Sequence, residues 1–230
     1  LIHVTDREGD NFDIFAHLHV KGDSWIIRAA QLRRIVKAKS GELIKLNALC
    51  ASLPPLGSYQ VFVRANKKQK ERWATVEVRS ASITLLRPRN GSTKFVKEHA
   101  IEEISTNVVE VREVGTPKGC EPIHWVLYTR QSVSSFKQAE QVIKGYEHRP
   151  IIEEFHKAAK TGLEVESRQY QLADRLKPLI GVTSVQAVRL LQLRDVARIA
   201  PDTPAKRLVP PQWIEVMRRV LRRPIEIKTV

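Results

Sequence analysis

The stretch from Tyr59 to Leu86 leaves little freedom in how it folds. YQVFV (59–63) and RWATVEVRSASITLL (72–86) alternate apolar and polar side chains, which commits both to strands with one buried face. Similar short runs fill residues 31 to 124, broken by Pro54, Pro55, Gly57 and the NGS turn at 90 to 92, so the pattern predicts an antiparallel β-module. The KKQKER run, Lys67 to Arg72, predicts a hairpin tip that either reaches for phosphate or is simply a solvated turn.

On either side the texture changes. LIHVT (1–5) predicts a buried strand ending at Asp6, followed by a helix with Phe12, Phe15 and Leu18 on one face. WIIRAA (25–30) predicts a second strand, and Arg28 sits in it. After the strand WVLYT (125–129), Phe136, Ala139, Val142 and Ile143 recur at helical spacing. Further helices are predicted from Pro150 to about Thr161 and from roughly 183 to 198. A proline-punctuated tail, Pro201 to Trp213, then leads to a basic helix, Ile214 to Arg223. Pro150 suits a first helical turn, where its missing N–H costs nothing, so a break is predicted between Tyr146 and Pro150.

Charge narrows the range of partners. With 39 Lys and Arg against 25 Asp and Glu, the chain carries a formal +14, which opposes compaction and attracts polyanions. Nucleic acid leads, because basic side chains release counterions from phosphates. Membrane binding would want a basic amphipathic helix with bulky apolar residues on its other face, or a long apolar span, and neither is seen. A hydrophobic content of 42% over 230 residues predicts a soluble chain with one core and a smaller module. Cys50 and Cys120 lack the spacing of a zinc site or a disulfide framework, which predicts reduced thiols and a cytoplasmic setting.

The most informative segment is YEHRPIIEEFHKAAK, residues 146 to 160. At about 100° per residue, Ile151, Ile152, Phe155, Ala158 and Ala159 fall on one side. Tyr146, Arg149, Glu153, Lys157 and Lys160 fall on the other. The plain alternative is an amphipathic helix with a solvated face and a Glu153–Lys157 pair worth a few tenths of a kcal/mol. Glu154 points nearly 100° away from Glu153 and misses the basic face.

The spacing Y-x2-R-x3-E-x6-K, read as Tyr146, Arg149, Glu153 and Lys160, is joined by four other landmarks in order: DREGD (6–10), WIIR (25–28), the strand tryptophan Trp125 and AVRLLQLRD (187–195). Together they resemble the DDE-type insertion-sequence transposases of the YREK subfamily, over residues 1 to about 200. The resemblance implies an α/β fold, a partial RNase H-like (DDE integrase) catalytic core interrupted by a β-rich insertion domain. Its parts would be core residues 1–30, insertion 31–124, core 125–200, and a C-terminal linker and helix 201–230.

The same resemblance implies site residues. Asp6 and Glu153 would be the second and third of three carboxylates holding two Mg²⁺ (or Mn²⁺) ions around a scissile phosphodiester. Tyr146, Arg149 and Lys160, with Lys157 beside them, would contact DNA phosphates near the element end, and Arg28 would add a basic contact. Trp125 would stack against a flipped base. Each has a plainer alternative: an N-cap for Asp6, a core ring for Trp125, a carboxylate-paired cation for Arg28. His124, His156 and Cys120 show no ligand spacing and are assigned no role.

The implied partners are double-stranded DNA, at element ends and at target, and a second copy in a synaptic homodimer, acting on nucleoid DNA in a bacterial cytoplasm. The family's first aspartate is expected upstream of Asp6, outside this chain, with further segments beyond both ends. The expectation is therefore that this chain alone does not cleave DNA, and that missing strands leave an exposed sheet edge. A second reading is a non-catalytic DNA-binding remnant or regulator. A third is an unrelated RNase H-like nuclease, which would not need the Tyr146/Arg149/Lys160 array.

Overall fold

The computed structural model describes residues 1–63, 70–90, 93–167, 170 and 172–221. The chain divides into two compact units, Leu1–Arg149 and Pro150–Val230.

The first unit is built on one mixed sheet. In chain order its strands are β1 (Ile2–Thr5), β2 (Ser24–Arg28), β3 (Ile35–Ala38), β4 (Leu43–Lys45), β5 (Gly57–Val63), β6 (Arg72–Leu86), β7 (Glu103–Val114) and β8 (His124–Thr129). They are arranged β1-β2-β8-β7-β6-β3-β4, with β5 also on β6. Among the described strands only β1 and β2 run parallel, because a helix, α1 (Phe12–Lys21), carries the chain back between them. β6 is long enough to serve two neighbours on one edge: β5 pairs with Arg72–Val78 and β3 with Ile83–Leu85. The predicted strands of the 31 to 124 segment are present and antiparallel, and they continue the sheet that holds β1 and β2.

Alternation along the strands feeds two cores, one on each face. Trp25, Ile27, Val108, Val126 and Tyr128 meet Phe15 of α1 and Leu46 of α2 (Leu46–Ser52). Phe15 stands edge-on to both Trp25 and Tyr128, at 5.8 and 5.4 Å between centroids, each such pair adding roughly 0.5–1.5 kcal/mol beyond burial. On the other face Ile26, Val109, Val111 and Leu127 meet α4 (Phe136–Glu147). Gly145 lets α4 lie close to β2, since a Cβ there would come within 2.6 Å of Ile26 Cδ1.

Two helices in this unit escape the sequence pattern. Both α2 and α3 (Lys94–Glu98) are too short for helical spacing to separate from the surrounding β texture. The KKQKER tip lies outside the described residues for Lys67 to Gln69, and the NGS turn does so for 91–92.

The second unit is helical. It contains α5 (Pro150–Lys157), a wider π-helical turn at Ala158–Gly162, α6 (Ala173–Ile199) and α7 (Pro211–Leu221). The break before Pro150 is present, with α4 ending at Glu147. Two corrections apply. α6 begins about ten residues before the predicted 183, running through Pro178 and Gly181, which as helix breakers mask its first turns in sequence. The helix expected to reach Thr161 keeps α-geometry only to Lys157, so the 100° angular reading does not carry to Lys160. Of the basic helix predicted to Arg223, the described part ends at Leu221. No helix among the described residues is long and apolar enough to cross a membrane.

Candidate nucleic-acid interface

Strand direction decides which side chains meet in the first unit. Because β1 and β2 are parallel, with Thr5 opposite Ile27, Asp6 and Arg28 emerge at the same end of the sheet. β8 runs the opposite way beside β2, with Leu127 opposite Arg28, so its first residues, His124 and Trp125, lie at that end too. The carboxyl ends of neighbouring strands are where open α/β sheets hold ligands.

Asp6 is held from two sides. Its Oδ1 accepts the Glu8 backbone N–H at 3.0 Å, capping the short turn Arg7–Gly9. Its Oδ2 accepts Arg149 Nη2 at 2.5 Å, a charge-assisted bond between side chains about one third and one quarter exposed. The plainer sequence alternative for Asp6 is thus realised on one oxygen and an ion pair occupies the other. Gly9 is required behind it, since a Cβ would approach Thr5 Oγ1 to 1.9 Å.

Arg149 is tied in turn to the core. Its backbone N–H bonds the Tyr146 carbonyl at 2.9 Å, and the Tyr146 ring stands edge-on to Trp125 with centroids 5.8 Å apart. The angular reading set Tyr146 beside Arg149 on a polar face. Instead its ring is buried, because Ala139, Val142, Ile143 and Tyr146 form the i, i+3, i+4, i+7 stripe that α4 turns to the sheet.

Beside this series opens a cavity of about 450 Å³, lined by Arg7, Arg28, Leu32, Ile123, His124 and Trp125 among others. Arg28 Nη2 donates to the His124 carbonyl at 3.4 Å, and among the described residues no carboxylate pairs with it. Two arginines and a half-buried indole therefore share one recess with a single glutamate, Glu121. Such a recess suits a phosphate with an attached ring, one charged part and one flat part.

Behind His124 lies a charged cluster that the sequence reading missed. Glu110 is 1% exposed and meets His124 Nε2 at 2.9 Å, Arg79 Nη1 at 3.5 Å and Arg112 Nε at 3.6 Å. Burial acts to raise the Glu110 carboxyl, but the His124 hydrogen bond and the Arg112 and Arg79 guanidiniums outweigh it and hold it below the usual range. The signal was available as E-x-R in both strands, Glu77-Val-Arg79 and Glu110-Val-Arg112. Antiparallel pairing sets Arg79 opposite Glu110 and Glu77 opposite Arg112.

Glu153, Lys157 and Lys160 belong to the second unit. Glu153 and Lys157 are exposed on α5, one turn apart. Lys160, in the π-helical turn, pairs with Glu166 at 2.7 Å. Glu154 is bound instead to Arg194 of α6 at 2.5 Å. Ile151 and Ile152, expected on the buried side, are about half exposed, whereas Phe155, Ala158 and Ala159 are partly covered.

Among the described residues no three His, Cys, Asp or Glu side chains gather as a ligand set. With both Asp6 oxygens already engaged, the residues around it do not fit a preassembled divalent-ion site. What they do border is a recess lined by two arginines, one glutamate and an aromatic wall. A scan against models of known protein families finds none that matches this chain.

Proposed function

We propose that this chain is part of a DNA transposase of the DDE type, one that cuts and joins DNA at the ends of its own element. The observation that carries the reading is the gathering of Asp6, Arg28, Trp125 and Arg149 at one end of the first unit's sheet, four positions that the sequence resemblance singles out from four separate segments. The resemblance assigns Asp6 and Glu153 to Mg²⁺ or Mn²⁺ as the source of the phosphodiester chemistry, and Asp6, held by Glu8 and Arg149, would be open to an ion only once Arg149 is drawn away. The work of the residues in this unit is binding and orientation.

Arg28 and Arg7 draw a phosphate into the recess, and Trp125, half-buried with its edge fixed by Tyr146, offers a flat face to an unstacked base. Arg149 alternates between Asp6 and a phosphate, so DNA arrival exposes the carboxylate. Lys157 and Lys160 add phosphate contacts from the second unit. Double-stranded DNA at element ends and target, and a second copy in the paired complex, complete the reading.

One observation favours a second reading, a DNA-binding remnant without chemistry: Asp6 is spent on a turn and an ion pair. Both readings require DNA binding. The test is duplex binding by fluorescence anisotropy across a salt series, for the wild-type chain and for Arg28→Ala, Arg149→Ala and Trp125→Ala. Each arginine variant is expected to lower the salt slope by about 0.9. Trp125→Ala is expected to weaken binding of a duplex with an unpaired end base by about 1–3 kcal/mol, and of a fully paired one far less. Absence of binding at low salt, or variants indistinguishable from wild type, would sink the proposal.

A further inference from the structure

His124, to which spacing in the sequence gives no role, stands between the Glu110 cluster and the Arg28 recess. Its ring meets Glu110 through Nε2 at 2.9 Å, and the residue lines the recess together with Arg7, Arg28, Glu121 and Trp125. Its backbone carbonyl accepts Arg28 Nη2 at 3.4 Å, so the arginine and the histidine are neighbours at one end of the sheet. One residue thus joins a buried carboxylate to an open recess.

The hydrogen bond fixes which ring nitrogen carries the proton. Glu110 is 1% exposed and its carboxyl is held below the usual range, so at neutral pH it is ionised and can only accept. Nε2 is therefore the N–H of the neutral ring, and Nδ1 is left with a lone pair. Among the described residues Nδ1 makes no hydrogen bond. When the ring takes up a second proton, Nδ1 becomes a donor and Glu110 stabilises the charge.

The surrounding charges do not cancel that proton. From β7, Glu110 and Arg112 neighbour the ring, with Arg112 directly opposite His124 in register. From β6, Arg79 reaches Glu110 at 3.5 Å and is also held by Glu77 at 2.5 Å. These two arginines already balance the two glutamates. Cys50 of α2, also within electrostatic reach of Glu110, is a thiol that burial pushes up to about 12, so it stays neutral. On the recess side Arg7 and Arg28 stand with Glu121, which leaves one positive charge, and an imidazolium makes it two.

We infer that His124 is a third phosphate ligand of this recess, positioned by Glu110 and switched by a proton: the imidazolium donates Nδ1–H to a phosphate beside Arg28, whereas the neutral ring offers only a lone pair. The inference rests on the DNA-binding reading of the recess and adds to it a regulation by pH. Histidine suits the task because its ordinary titration falls within about pH 5–8, where Arg7 and Arg28 keep their charge. The grip on a DNA end tightens as pH falls and loosens as it rises.

The experiment is anisotropy on the duplex with an unpaired end base, as salt series at about pH 8 and about pH 5.5. It compares wild type with His124→Gln, whose amide keeps an N–H for Glu110 but takes up no proton. His19→Gln, at an exposed position on α1 that does not line the recess, is the control, and thermal midpoints verify folding. The wild-type salt slope is expected to be steeper by up to about 0.9 at the lower pH, a gain kept in His19→Gln and lost in His124→Gln. Glu110→Asp, which keeps the charge but shortens its reach to Nε2, is expected to weaken binding at the lower pH, and wild-type binding there would overturn the part given to Glu110. If the wild-type slope does not steepen, if it steepens equally in His124→Gln, or if that variant weakens binding by the same factor at both pH values, the inference is overturned while the recess stands. If wild type binds no duplex at either pH, the DNA-binding reading fails and this inference with it.

Discussion

Arg149 Nη2 lies 2.5 Å from Asp6 Oδ2, joining the residue that follows β1 to the last residue of the first unit. A basic side chain that the resemblance assigns to DNA is thereby paired with a carboxylate that it assigns to catalysis. The two duties exclude each other until one bond is given up.

The first prediction follows from that exclusion. Asp6→Asn removes the charge that Arg149 pairs with, so duplex affinity is expected to rise and the salt slope to steepen by up to about 0.9. Stability should change by no more than about 1 kcal/mol, as for other solvent-exposed pairs. Unchanged or weaker binding in Asp6→Asn would show that Arg149 does not exchange between carboxylate and phosphate.

Gly9→Ala should be far more damaging than its position on a surface turn suggests. The added methyl would meet Thr5 Oγ1 at 1.9 Å and Thr5 Cβ at 2.8 Å, both on the strand that positions Asp6. A loss of roughly 1–3 kcal/mol is expected from overpacking, measured by urea unfolding. Combining it with Thr5→Ser, which removes only a methyl and keeps the Oγ, should restore little. Wild-type stability in Gly9→Ala would refute the close approach.

The Glu110 cluster predicts a pH dependence of definite sign. Its folded-state pKa lies below the ordinary 4.5, so its stabilisation is complete above that value and is lost as pH falls through the folded-state pKa. Glu110→Gln leaves His124, Arg79 and Arg112 without their shared carboxylate and is expected to cost roughly 3 kcal/mol at neutral pH. The gap between wild type and variant should narrow as pH drops below about 4.5, followed by thermal midpoints. A gap that stays constant would mean that Glu110 is not ionised in the fold.

The two cysteines should react at very different rates. Burial pushes the Cys50 thiol up to about 12, and α2 holds it 1% exposed, whereas Cys120 is partly accessible. A thiol-specific reagent under native conditions is expected to label Cys120 first, with Cys50 following on unfolding. Prompt double labelling would mean that α2 opens readily.

Much of this arrangement was legible in the residues. Alternation located the strands around Tyr59 to Leu86 and, with WIIR and WVLYT, the sheet's centre, because strand periodicity survives when one face is buried. Order along the chain does not reveal strand neighbours, however, and only the pairing of β8 with β2 brings Trp125 and Arg28 to one end. A single helical wheel carried across the Pro150 break puts Tyr146 on the polar face, whereas the period of α4 alone sets it on the stripe of Ala139 and Val142. The direction of Lys160 does not follow from the α-helical wheel, because a π-helical turn has no distinct apolar period. The Glu110 cluster was hidden for a different reason: a buried charge becomes readable only when its cross-strand partners are known.

The most direct test of the central claim is strand cleavage. The natural reading frame around this chain would be expressed with its flanking in-frame sequence and assayed with Mg²⁺ on duplexes carrying the ends of its element. Nicking at the element end is expected, and it should disappear in Glu153→Gln and in Asp6→Asn, although Asp6→Asn still binds the duplex. Binding without any Mg²⁺-dependent cleavage, or cleavage that survives both substitutions, would contradict a catalytic role for Asp6 and Glu153.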